Sequence, residues 1–251
     1  MFAPLVTAFR TLTIIPFPGT DTDNRALSLP FFPIVGLFIG TLSILSAYLC
    51  SIVFTTIPFA GGIITTALVI AITGALHLDG AADVADGFGG GKTKQAILEI
   101  FKDSRLGTFG VTTIVFDVLI RVIFLSWLIE HHHFDIIFIH PVLGRMLQAW
   151  GCALIPYARP SGGTALSFHT QRFPIGLLVI TAGTIGIVLF AFNVLPIGTV
   201  IFCSIIPSLF FYVYCLNRIG GITGDCLGAI NEIAECTFLI CGCGMYSFIM
   251  W

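Results

Sequence analysis

The segment His77-Leu-Asp-Gly-Ala-Ala-Asp-Val-Ala-Asp-Gly87 gathers three carboxylates directly after an apolar run. Asp83 and Asp86 follow Asp79 at offsets of four and seven residues, which at 3.6 residues per turn places all three within roughly 60° of one another around a helix axis. Like charges so close repel, weakly in water and more strongly where the dielectric is low. A bound divalent cation accounts for the grouping, and an all-oxygen donor set suits the hard ions Mg²⁺ or Mn²⁺.

Two further polar islands carry residues of the same kind. Leu98-Glu-Ile-Phe-Lys-Asp-Ser-Arg-Leu-Gly-Thr-Phe-Gly110 sets Asp103 and Arg105 a few residues before an apolar stretch. A solvated helix face explains Glu99 and Lys102 better than it explains that cluster. In Gly220-Gly-Ile-Thr-Gly-Asp-Cys-Leu-Gly-Ala-Ile-Asn-Glu-Ile-Ala-Glu235, Asp225 and Glu232 are seven apart and share a helix face, with Glu235 three further on. Arg121 and Arg145 fall inside apolar runs, where a charge needs a partner or a wet cavity. Arg121 can pair with Asp117 four residues earlier. Arg145 has no acid near it in sequence, so it is open either to grip a phosphate or to meet an acid from another helix. Gly87-Phe-Gly-Gly-Gly-Lys-Thr93 looks like a phosphate loop, but the position that must be glycine is Asp86 and no strand precedes it, so a flexible turn is the simpler account.

The elements that must position these residues are membrane helices. Hydrophobic residues make up 57% of the chain and charged residues 10%, with mean hydropathy +1.03, far from the roughly 25% charged of soluble domains. Crossing an apolar core takes about 20 helical residues. Candidate runs lie near 29–57, 61–78, 108–130, 135–156, 174–193, 196–216 and 236–251, which predicts about seven transmembrane helices in one all-α domain over 1–251, a polytopic integral membrane helix bundle. The absence of a cleavable signal pattern implies a retained N-terminus. Arg10, Arg25, Lys92, Lys94, Lys102, Arg105, Arg159, Arg172 and Arg218 all fall in the N-terminal segment and alternate loops, while the opposite loops 58–60, 131–134 and 194–195 hold no Lys or Arg. That asymmetry predicts a cytoplasmic N-terminus and a cytoplasmic acidic motif. No basic run with interleaved aromatics suggests nucleic acid. The eight cysteines, with no C-x-x-C pair, read as small apolar residues. His131-His132-His133 reads as a polar turn at the far surface rather than a metal site.

Taken in order, these motifs resemble the cobalamin synthase family. Arg10-Thr-Leu-Thr-Ile-Ile-Pro-Phe-Pro18 is similar to that family's opening and Phe32-Pro-Ile-Val-Gly-Leu-Phe-Ile-Gly40 to its first span. The stretches 77–87, 98–110 and 220–229 resemble its three polar motifs, and the likeness runs from about residue 5 to 240. Ala81, Asp117 and the histidine cluster depart from the family pattern without touching the carboxylates. The resemblance implies an enzyme that joins adenosylcobinamide-GDP to α-ribazole or α-ribazole 5'-phosphate and releases GMP. In that chemistry carboxylate-held Mg²⁺, or Mn²⁺, neutralises charge on the attacking, leaving and equatorial oxygens. The expected ligands are Asp79, Asp83 and Asp86, with Asp103 or Asp225 completing the set. Asp86 or Asp103 is expected to take the proton of the acceptor hydroxyl. Arg105 and Arg145 are expected to meet phosphates, with His77, Thr223 and Asp225 on the substrate side and His77 also orienting a ligand from behind.

The expected setting is the prokaryotic inner membrane, among lipid, with no nucleic-acid partner. Gly36 and Gly40 could serve either a homo-oligomer or internal packing, and other cobalamin-assembly enzymes are conceivable neighbours. Two rival classes fit less well. A CDP-alcohol phosphatidyltransferase has an arginine soon after its first Asp-Gly, where this chain has Ala81-Ala82-Asp83. A secondary transporter holds its ion site near the midplane in paired repeats, and no repeat is evident here.

Overall fold

The structure is a computed structural model, and it describes residues 2–159, 162–169, 175–191 and 194–249. Arg172 and the ends of the 174–193 and 236–251 runs lie outside them. The helices are α1 (Ala3–Leu12), α2 (Phe32–Val53), α3 (Pro58–Thr73), α4 (Leu76–Gly90), α5 (Lys94–Ile100), α6 (Thr108–Glu130), α7 (Phe134–Leu154), α8 (Ile175–Ala191), α9 (Val194–Ile219) and α10 (Gly224–Ile249). Short 3-10 turns at Arg25–Phe31 and Thr164–Phe168 complete the fold. Pro33 and Pro58 stand in the first turns of α2 and α3, where a missing N–H costs nothing. Thr93 caps α5 by accepting the Ala96 N–H at 3.2 Å.

This is an all-helical, multi-pass membrane protein. Among the described residues, five helices are long and apolar enough to cross alone, which makes six spans if α3 and α4 count as one bent span. The seven runs expected from hydropathy included 61–78 and 174–193, where the chain forms α3 and α8, of only 16 and 17 residues. α7 and α10 are the inner helices, with 89% and 78% of their most apolar stretches buried, against 28% for the span in α9. Phe116, Val179, Phe202 and Phe210 stand exposed on the outer helices, as residues facing lipid should. Between helices in lipid, close packing replaces the hydrophobic drive. Gly36 and Gly40 serve that purpose within the chain: a Cβ on Gly36 would stand 2.7 Å from the Cα of Val142 in α7, and Gly40 abuts the Phe138 carbonyl. At the far end, Trp127 stacks on His131 at 4.2 Å and His133 on Tyr246 at 3.9 Å, which makes the histidine turn an aromatic stack.

One corner decides where the acidic motif goes. Gly74 at φ +61° ends α3 in the left-handed region, and Ala75 repeats it at φ +58°. For alanine that conformation costs about 1–2 kcal/mol. Together they turn the chain by 88°. α4 therefore runs across the N-terminal end of α10. The crossing is close because Gly80 rests on the backbone of Asp225 and Gly228 on the backbone of His77, where a Cβ would stand 2.9 and 3.0 Å from the nearest oxygens.

Candidate active site

The crossing of α4 and α10 opens onto a cavity of about 390 Å³. His77 and Asp79 reach it from α4, Asp225 from α10 and Gln148 from α7. The N-terminal segment closes it with Arg10 and Arg25. Arg10 is tied to Asp21 at 3.3 Å and to the carbonyls of Phe17 and Gly19. Arg25 is exposed, and its guanidinium lies 5.8 Å over the Phe168 ring. A mixed wall of this kind, with two cations, three carboxylates (Asp21, Asp79 and Asp225) and aromatic surface, suits a polar ligand that carries phosphate.

Asp225 is placed by several contacts. Thr223, fully buried, caps α10 by accepting the Cys226 N–H at 3.3 Å and donates its hydroxyl to Asp225 Oδ2 at 3.1 Å. A bridge of backbone hydrogen bonds, Ala158 N–H to Ile222 O at 2.8 Å and Ile222 N–H to Pro156 O at 2.9 Å, brings the loop after α7 alongside. Arg159 on that loop donates to Asp225 Oδ2 at 3.2 Å. Asp83, half-buried one turn beyond Asp79, shows how crowded the acids are. Its carboxyl is pushed up from 3.8 to about 7, first by burial and then by Asp79, Asp225 and Asp86.

The other expected site residues are engaged elsewhere. Asp86 accepts the N–H groups of Gly107 at 2.7 Å and Gly110 at 2.8 Å, so it holds the start of α6. Asp103 is gripped by Arg105 through Nε at 3.0 Å and Nη2 at 2.6 Å, on the loop between α5 and α6. That grip, with the Arg105 backbone N–H, holds the Asp103 carboxyl down at about 2 and raises the exposed guanidinium in turn. Arg145 is fully buried in α7 and pairs with Glu235. Glu235 also receives Arg121 Nη1 at 2.7 Å, and Arg121 in turn binds Asp117 at 2.7 Å and Glu232. Asn231 Nδ2 donates to Glu235 at 3.0 Å and to Glu232 at 3.1 Å.

The chain matches the family model described as Cobalamin-5-phosphate synthase over residues 4–243. Relatives named Adenosylcobinamide-GDP ribazoletransferase include one from Chlorobaculum parvum, 38% identical over 94% of this chain and 92% of its own length. Another, from Syntrophobacter fumaroxidans, is 38% identical over 95% of this chain and 96% of its own. The chain belongs to the cobalamin-5-phosphate synthase family. No solved structure matches it.

In this member of the family, helical spacing pointed to the α4 acids and the family resemblance to Asp225, and the fold brings His77, Asp79 and Asp225 onto one cavity. Neither marked Arg10, Arg25 or Gln148 as lining residues. Their only signal was indirect: the two arginines lie in a polar N-terminal segment that had to sit at the same end of the bundle as the motif. Among the described residues no three His, Cys, Asp or Glu side chains converge tightly enough to cage an ion alone. The chemistry of the donor set still fits a hard dication, because Mg²⁺ is commonly held by one or two carboxylates with water and substrate phosphate supplying the remaining oxygens.

Proposed function

We propose that this protein transfers adenosylcobinamide phosphate from adenosylcobinamide-GDP to α-ribazole or its 5'-phosphate, releasing GMP. The carrying observation is the meeting of Asp79, Asp225 and His77 with Arg10 and Arg25 around one cavity. The relatives' shared name, over nearly the whole chain, supplies the substrate class. In the reaction a hydroxyl oxygen of the acceptor forms a bond to the phosphorus nearest cobinamide, the P–O bond to the bridging oxygen breaks, and GMP leaves with that oxygen.

Asp79 and Asp225, which line the cavity, would hold the dication with water and substrate phosphate supplying the remaining oxygens, and Asp83 would add its charge from one turn along α4. Mg²⁺ or Mn²⁺ there would supply charge neutralisation on the pyrophosphate oxygens. Asp79 lines the cavity and takes the hydroxyl proton. The sequence pattern pointed to Asp86 or Asp103 for that step and to both as ligands, yet both oxygens of each are already hydrogen-bonded, to the α6 amides and to Arg105 respectively. Arg25, exposed on the cavity wall, is the arginine placed to meet phosphates; Arg105 is held by Asp103, and Arg145, placed behind His77, acts from the interior. The active site faces the cytoplasm of a prokaryotic cell, at the end of the bundle that carries the basic loops.

The test is GMP release from adenosylcobinamide-GDP by purified protein in detergent, with α-ribazole and with Mg²⁺ varied. Release that needs both supports the proposal. Release indifferent to chelation removes the metal, and corrinoid flux into vesicles without GMP formation replaces the enzyme with a transporter.

A further inference from the structure

Arginines in this chain are held in two ways. Arg121 is saturated: its Nε meets Asp117, its Nη1 Glu235 and its Nη2 Glu232. Arg159 is not. Its Nη2 donates to Asp225 Oδ2 at 3.2 Å and shares that oxygen with the Thr223 hydroxyl at 3.1 Å. Its Nε is buried with no hydrogen-bond partner among the described residues. A guanidinium carries five N–H donors, and buried donors are normally satisfied, so this arginine is not in the position that uses it best. The backbone around it is fixed. The bridge between Tyr157 and Ile222 ties the loop to the start of α10, and Gly163, at φ +93°, folds back against the Tyr157 hydroxyl beside Arg159 Nη1. The side chain is the part that can move. It is 12% exposed, and its partner Asp225 is 25% exposed and lines the cavity. Among the described residues it is the one cation paired with the acids of the α4–α10 crossing.

We infer that Arg159 is a phosphate-binding residue with two stations: in the empty site it balances Asp225, and with substrate bound it donates to the pyrophosphate and leaves Asp225 to the cation. The inference rests on the transfer reaction and the carboxylate-held dication proposed above. Two positive centres cannot share one carboxylate oxygen at full strength, so the arrival of one loosens the other. The guanidinium is the one that can yield, because a phosphate offers its planar fork two acceptors where Asp225 offers one. The loop need not open for the exchange, since only the side chain changes partner. Removing the guanidinium therefore has effects of opposite sign: the resting site holds a cation more tightly, and the reaction slows.

The test measures Mn²⁺ binding to purified protein in detergent without substrate, from the free-ion electron paramagnetic resonance signal, beside the kcat of GMP release. Arg159→Met removes the competitor, so Mn²⁺ should bind about fivefold more tightly than to wild type, in the range of a partly exposed ion pair. In the same variant kcat should fall about 100-fold, the usual loss for one donor to a developing charge. Arg159→Lys keeps the charge beside Asp225 and loses the fork, so Mn²⁺ affinity should stay within about twofold of wild type while kcat falls about tenfold. An arginine that merely braces Asp225 predicts otherwise: Arg159→Met would bind Mn²⁺ no better or more weakly, and Arg159→Lys would keep the wild-type kcat. Either result overturns the inference while the wild-type reaction stands. If Arg159→Met fails to fold, Arg159→Lys still decides through its kcat. A wild type that binds no Mn²⁺ removes the metal reading and this inference with it. One that binds Mn²⁺ yet releases no GMP removes the transfer reaction and the substrate station, and the Mn²⁺ titrations then decide the resting station alone.

Discussion

Two groups of ionisable residues sit close together in this molecule and obey opposite rules. In the bundle core, Asp117, Glu232 and Glu235 share Arg121 and Arg145, and Asn231 fills a remaining gap. At the α4–α10 crossing, Asp79, Asp83, Asp86 and Asp225 face a single paired arginine, Arg159. The residue types are alike. What differs is the balance: the carboxylates paired in the interior hold helices together, whereas at the crossing the carboxylates outnumber the arginine paired with them. A buried ion pair adds little net stability, but removing one partner leaves an uncompensated charge, at a cost of about 3–5 kcal/mol.

The sharpest way to break this contrast is Arg121→Met. It strands Asp117 and Glu232 and leaves Glu235 to Arg145 alone, and should destabilise by at least about 3–5 kcal/mol, so little folded protein should survive extraction, judged by gel filtration and thermal unfolding in detergent. A well-folded Arg121→Met would mean the core network is no scaffold. Asp79→Asn should do the reverse. GMP release should drop about 100-fold or more, equivalent to about 3 kcal/mol of barrier, with the melting temperature unchanged or higher, because a repelling charge is gone. A comparable loss of stability would place Asp79 with the scaffold instead.

Between these lies Gly74→Ala. It adds a second alanine to a left-handed corner at about 1–2 kcal/mol, and its Cβ would stand 2.5 Å from Ile14 Cγ2. Because α4 is aimed by this corner, transfer activity should fall by more than the melting temperature implies. Equal proportional losses in both would show that the corner only supports the bundle.

Much of this was legible in the sequence, for identifiable reasons. The aspartate spacing and the Asp117–Arg121 pair are local, and helical periodicity reports local geometry well; the pair forms as expected at 2.7 Å. The partner of Arg145 is 90 residues away on α10, and no periodicity carries that information. The 88° corner was hidden too, since Gly74-Ala75 interrupts an apolar run without a proline and one of its two left-handed residues is an alanine, which seldom adopts that conformation. That is why 61–78 read as a straight span. Cys236 shows the limit of composition: it counts as a small apolar residue, yet its thiol donates to Asp117 at 3.2 Å.

The smallest predicted effect bears directly on the excess of charge. Asp83 binds its proton more tightly in the folded chain, at about 7, than its ordinary 3.8. The sign follows from linkage: protons favour the folded state, so this stabilisation is complete below about pH 4 and is lost as pH rises through about 7. Solvent reaches this half-buried group, so the effect should be modest. In metal-free detergent the melting temperature should slope downward from pH 5 to pH 8, and Asp83→Asn, which cannot ionise, should flatten that slope. Added Mg²⁺ should restore stability at pH 8 in the wild type and less in the variant, since the cation replaces the proton as the charge that keeps the acids together. A flat wild-type profile would mean the four aspartates do not feel one another, and the contrast between the two clusters would lose its physical basis.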